Sequence, residues 1–209
     1  MKKACILPLP LLAGIGFIAI ANLAFAAEQP PTDETHLPKG WIIKGAQPEK
    51  YDMGLDSSML HDGKPCAYIK SKFDKMDAAL GTLRQAISAK KFIGKRIRFS
   101  GWLKTENVKD AAGLWVRVDG PEHKMLEFDN MENRPVKGST DWQKYSCVVD
   151  VPEGAEAILF GFLLSETGKV WANRMNLDVV SKDVPSTNIA PPPEKLPEEP
   201  VNLDFSESK

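Results

Sequence analysis

The residues best equipped for chemistry lie between Gly113 and Trp142, in the stretch GLWVRVDGPEHKMLEFDNMENRPVKGSTDW. Strict alternation in its first part puts Trp115, Arg117 and Asp119 on one side of an extended segment and Leu114, Val116 and Val118 on the other. A turn at Gly120-Pro121 leads to a second segment that ends in Phe128-Asp129-Asn130-Met131, with Arg134 just beyond. An aromatic ring beside a guanidinium, short carboxylates and an amide suits recognition of sugars. The ring covers the apolar C–H face of a pyranose, and the polar groups form directional hydrogen bonds to its hydroxyls. The candidate ligand-binding set is therefore Trp115, Arg117, Asp119, Asp129 and Asn130. A competing reading makes Trp115 a core residue and Arg117–Asp119 a surface ion pair of little worth. A one-residue slip in register would exchange the two faces.

Bond-breaking chemistry finds no such support. His36, His61 and His123 do not stand at metal-ligand spacing with another histidine, a cysteine or paired acids. There is no nucleophile-elbow motif and no phosphate-cradling glycine loop. No two acids are forced by spacing onto opposite sides of a substrate. The expectation is a chain with no catalytic residues, no metal and no cofactor, and so not an enzyme.

These residues must be positioned by short strands, because the chain alternates between apolar and polar residues and is broken by Gly, Pro, Asp and Asn. Strands are predicted at 41–46, 51–55, 65–71, 81–88, 96–105, 113–119, 126–129, 142–151, 157–164 and 170–180. In the fifth, Ile97, Phe99, Gly101 and Leu103 share one face, opposite Arg98, Ser100, Trp102 and Lys104. A short helix is predicted around 73–79. Many short strands with turn signals between them imply a two-sheet sandwich or barrel. Phe160 and Phe162 are assigned to the core, and Gly161 between them leaves room above the sheet for a ligand or a ring. Trp102 falls on a polar face, as an exposed platform or a surface covered by the tail. Parity turns Cys66 outward and Cys147 inward. A disulfide needs Cα atoms within roughly 7 Å and converging side chains, so a bridge between them is not expected.

The two ends differ from this body. Lys2 and Lys3 precede an apolar run from Ile6 to about Ala21, and Ala24-Phe25-Ala26 closes it in the form signal peptidase accepts. Residues 1–26 are predicted to be a signal peptide, cut after Ala26 or Ala27. The rival is an uncleaved anchor, since the run approaches the ~20 residues needed to span a bilayer. Pro8, Pro10, Gly14 and Gly16 disfavour that helix. The protein is thus expected to be exported, periplasmic or secreted, with no stable membrane anchor after cleavage. Residues 27–39 read as a linker and 40–183 as one domain. Residues 184–209, rich in proline and acids, read as a disordered tail. The formal net charge is −1. The two lysines at the start and the acidic tail account for the imbalance, which leaves a neutral body. Phosphate binding requires a basic face, so nucleic acid is not expected as a partner.

Taken together, GKPCAYIKS from Gly63, GKRIRFSGWLKTE from Gly94, GLWVRVDG, FDNM, DWQKY from Asp141, VPEGAEAILFGFLL from Val151 and GKVWANRMNLDVV from Gly168 resemble a galactose-binding-like jelly roll. This is the antiparallel β-sandwich used by many carbohydrate-binding modules. More narrowly, the pattern is similar to poorly characterised bacterial domains often labelled transcriptional regulators, some of them joined to DNA-binding helices. The resemblance covers about residues 40–183 and implies an all-β jelly-roll sandwich. Where such modules commonly read aromatic-x-Asp-Asp in the last strand, this chain has Trp171-Ala172-Asn173-Arg174. Without that acid pair the structural calcium of some relatives is not expected. The functional expectation is a non-catalytic binding module for a glycan or other polyhydroxylated envelope ligand. The alternative is an envelope protein–protein interaction domain, with a protein partner taken through the tail or the sheet edges.

Overall fold

A computed structural model describes residues 36–190, together with Asn202, Leu203 and Ser206. The predicted signal peptide, most of the predicted linker and most of the tail lie outside the described residues. Within them the chain forms nine strands: β1 (Ile42–Lys44), β2 (Tyr51–His61), β3 (Lys64–Ser71), β4 (Leu80–Ser88), β5 (Arg96–Asp119), β6 (Met125–Asp129), β7 (Val136–Asp150), β8 (Ala157–Ser165) and β9 (Lys169–Val180). All pairings are antiparallel. The predicted helix around 73–79 is absent; this stretch is irregular, and Ala78 adopts φ 50°. Seven residues without a cap cannot offset the cost of helix nucleation.

The organising element is β5. The sequence suggests two strands, 96–105 and 113–119, but the structure joins them into one 24-residue strand, with a local kink at Asn107, where φ is 52°. Its first half pairs with β9 and β7. Its second half pairs with β8 and β6. Register shifts between Leu103 and Ala112 bend it from one layer into the other, as bulges do where a strand changes sheets. One layer is therefore β2-β3-β9-β5-β7 and the other is β1-β4-β8-β5-β6. The two-sheet antiparallel jelly-roll sandwich implied by the resemblance is the fold of the described domain.

Alternation decides what fills the space between the layers. Ile97, Phe99 and Leu103 point inward from the first half of β5, and Leu114, Val116 and Val118 from the second; all are fully buried. Ile158, Phe162 and Leu164 of β8, Leu83 of β4 and Val149 of β7 complete the same core. The layers touch through the rings of Phe99 and Phe160, 5.0 Å apart, and at Gly81 of β4. A Cβ there would stand 2.8 Å from the side chains of Tyr51 and Met53 on β2. Each large side chain buried in this way contributes about 1.5–3 kcal/mol.

Two expectations about the body are corrected. Cys66 keeps the outward parity of its strand but is buried rather than exposed, because the Asn173 amide stands 3.3 Å from its sulfur and covers that face of β3. Both Cys66 and Cys147 are free thiols. The tail is not structureless from residue 184 onward. Thr187 N–H donates to the Val148 carbonyl (2.7 Å) and Ile189 N–H to the Phe128 carbonyl (2.7 Å). The Thr187 hydroxyl accepts from Val148 N–H at 2.7 Å. Residues 184–190 therefore run along β6 and β7.

Candidate functional site

The outer face of the second layer carries a groove of about 340 Å³. Cross-strand register builds it. On β5, Trp115 and Arg117 point away from the core because Leu114, Val116 and Val118 fill it. Trp115 stands opposite Gly161 of β8, and Gly161 stands opposite Arg84 of β4. One row across the sheet thus reads Arg84, Gly161, Trp115, with no side chain in the middle. In the next row on one side Thr82 faces Leu163; on the other Leu159 faces Arg117, which faces Phe128 of β6. Lys44 on β1, Leu80 on β4 and Asn130 after β6 complete the lining.

The missing side chain at Gly161 lets the Trp115 indole reach across β8. Its Nε1–H donates to the Thr82 hydroxyl at 2.8 Å, and that hydroxyl donates onward to the Phe162 carbonyl at 2.8 Å. The ring is therefore laid along the sheet and only 9% exposed, with its polar handle already satisfied. A Cβ on Gly161 would stand 2.1 Å from the Leu83 carbonyl oxygen, so no larger residue fits this backbone.

The five residues named from the sequence divide into three kinds. Trp115, Arg117 and Asn130 line the groove. Asn130 closes a local turn by accepting Glu132 N–H at 3.1 Å. Asp119 is not a ligand contact: it is 2% exposed, and its carboxylate accepts from Arg117 at 2.6 Å. It orients the guanidinium from behind. Its other oxygen and Arg117 Nε are buried without a hydrogen-bond partner. Asp129 is also removed from the ligand set. It is fully buried on the opposite side of β6, where it accepts from Met131 N–H (2.8 Å), from both terminal nitrogens of Arg134 (3.1 and 2.5 Å) and from the Thr187 hydroxyl. A buried carboxylate needs such a set of donors. Its role is to fix the turn that presents Phe128 and Asn130.

The sequence reading missed Lys44, Leu80, Thr82, Arg84, Leu159 and Leu163. Thr82 and Arg84 do share a parity in β4, but only the pairing with β8 brings them beside Trp115. Trp102 is not an open platform, since the His61 ring lies 5.2 Å from it and 4.4 Å from Trp142. Among the described residues no group of three or more His, Cys, Asp or Glu side chains is arranged to hold a metal ion. No helix among them is long and apolar enough to cross a membrane.

No family model matches the chain. Over 169 residues it is 43% identical to an uncharacterised HTH-type transcriptional regulator, YbfP, of Bacillus subtilis; the match covers 81% of this chain. The chain spans 57% of the length of that relative. The regulator label noted in the sequence resemblance reappears there, and it describes the longer protein. Among solved structures, the chain is similar to the enzymatically active domain of tailspike protein 4 from bacteriophage CBA120. The TM-score is 0.52 and the identity 12%, over 68% of this chain and 20% of that one. It is also similar to the CBM22-1 xylan-binding domain of Paenibacillus barcinonensis Xyn10C. There the TM-score is 0.47 and the identity 13%, over 70% of this chain and 90% of that one.

Proposed function

We propose that this chain is a non-catalytic binding module that takes a glycan or similar polyhydroxylated envelope ligand into the groove beside Trp115. The observation that carries this reading is the composition of the lining. Trp115, Phe128, Leu80, Leu159 and Leu163 form an apolar surface, and Arg84, Arg117, Lys44 and Asn130 bring hydrogen-bond donors to it. An open, mostly apolar depression with a few convergent polar groups is the usual form of a small-ligand site, and about 340 Å³ falls within the range of roughly 300–1,000 Å³ for such sites. No carboxylate, imidazole or thiol belongs to this lining. Those are the groups that general acid–base and nucleophilic catalysis use, and this favours recognition over turnover. Export completes the proposal, on the strength of Lys2-Lys3, the apolar run and Ala24-Phe25-Ala26.

The test is a glycan array followed by calorimetry on the best binder. Asn130→Ala and Lys44→Ala should each weaken binding by about tenfold or more while the melting temperature stays near that of the parent. Retained affinity in both variants would move the site away from this groove, and an array without any binder would remove the glycan.

A further inference from the structure

The groove lining carries two cations without carboxylate partners among the described residues, one of them an arginine. Six arginines lie among the described residues. Arg96 pairs with Asp150, Arg98 with Asp178, Arg117 with Asp119, Arg134 with Asp129 and Arg174 with Asp62. Arg84 alone among them has no carboxylate partner, and its guanidinium makes no side-chain hydrogen bond to another described residue. It lines the groove across the Gly161 gap from Trp115. Lys44 lines the same groove, likewise without a carboxylate partner among the described residues. Asp119 is already committed to Arg117 and is buried behind it. The lining therefore presents two positive groups in excess, beside an apolar floor, in a body that is otherwise nearly neutral.

We propose, resting on the sugar-binding reading above, that the groove selects an acidic glycan, with Arg84 and Lys44 receiving the anionic substituent of a sugar ring that packs on the Leu159, Leu163 and Trp115 surface. A guanidinium offers a planar fork that meets a carboxylate or a phosphate through two parallel hydrogen bonds, and these are stronger than neutral ones. Partial burial, and after it the neighbouring Arg117, disfavour the charged form of Arg84, while the Asp119 carboxylate acts the other way. The site thus keeps a partly desolvated cation beside a second guanidinium, and an incoming anion offsets that repulsion. This is a pre-organised charge, costly in the empty site and matched in the occupied one.

Calorimetry on the full chain with three probes tests this. Trigalacturonic acid carries carboxylates, its methyl ester is the neutral counterpart of the same shape, and glucose 6-phosphate carries a phosphate. The acid should bind about tenfold or more tightly than the ester, the size of one charge-assisted hydrogen bond, and the preference should shrink as salt is raised. Arg84→Gln should erase the preference, lowering affinity for the acid about tenfold more than affinity for the ester, and Arg84→Lys should restore part of it. Arg84-dependent binding of glucose 6-phosphate above the acid would identify phosphate as the source of the anion and support the same class. Equal affinity for acid and ester, unaltered in Arg84→Gln, would overturn the acidic ligand and leave a neutral glycan in the groove. Failure of all three probes alongside a neutral glycan that binds in an Asn130-dependent way would also overturn it.

Discussion

Thr187→Val is the most informative single change for the scaffold, because it removes one oxygen and keeps the shape. In the native protein the Thr187 hydroxyl donates to the Asp129 carboxylate and accepts the Val148 N–H at 2.7 Å. Asp129 is fully buried, and Val148 is 4% exposed. Valine at this position leaves a buried carboxylate short of one donor and a buried amide without its acceptor. A hydrogen bond to a charged group contributes about 1.5–3 kcal/mol, and an orphaned buried group costs about 1–3 kcal/mol. The two losses share one site and do not add fully, so a destabilisation of roughly 3 kcal/mol is expected. For a chain of this size that lowers Tm by roughly 6–12 °C. Thr187→Ser keeps the hydroxyl and should cost less than about 1 kcal/mol. Urea denaturation monitored by tryptophan fluorescence measures both variants. A Thr187→Val protein within about 0.5 kcal/mol of the parent, or one no weaker than Thr187→Ser, would refute the latch between the tail and β6.

Two further outcomes follow from burial and charge. Asp150 accepts from Arg96 at 3.0 and 2.8 Å and from Lys182 at 2.7 Å, and these cations hold its carboxyl down to about 2. A depressed carboxylate stabilises the fold above its unfolded value of about 3.9 and loses that contribution as pH falls towards about 2. Asp150→Asn should therefore lower Tm at pH 7 and bring the parent and variant curves together between about pH 4 and pH 2; curves that stay parallel would contradict the pairing. Cys66 and Cys147 are both buried, and burial pushes both thiols up. Neither should react with a thiol reagent in the native protein, and both should react after denaturation; fast native labelling of either would contradict its placement.

The part of this structure visible in the sequence is the part governed by period two. Ile97, Phe99 and Leu103 against Arg98 and Trp102, and Leu114 and Val116 against Trp115 and Arg117, fall on the faces that alternation assigns. What escaped depends on partners far away in sequence. Arg84 becomes a groove residue through Gly161, 77 positions later in the chain and opposite it in β8. Asp119 and Asp129 look like ligand groups because short acids at strand ends are usually solvated. Here Arg134 and Thr187 help to satisfy the buried Asp129, and Arg117 covers one oxygen of the buried Asp119. The polar stretch around Asn107–Asp110 resembles a break between strands, and Asn107 does kink there, yet Val108 stays paired with Gly138 and Lys109 N–H donates to the Thr167 carbonyl, so the strand continues. Cys66 follows the parity of its strand, but Asn173 on the adjacent strand covers the face that parity left open.

Membership of β5 in both layers has a mechanical consequence. A sandwich joined only by loops can shear, with one sheet sliding over the other or peeling away while its neighbour stays intact. In this domain the same backbone is a rung in each sheet. Loss of β8 and β6 from one end of that strand frees its bent middle and slackens β7 and β9 at the other. Melting should therefore be a single event, and the shape of the groove on one layer is tied to the integrity of the other.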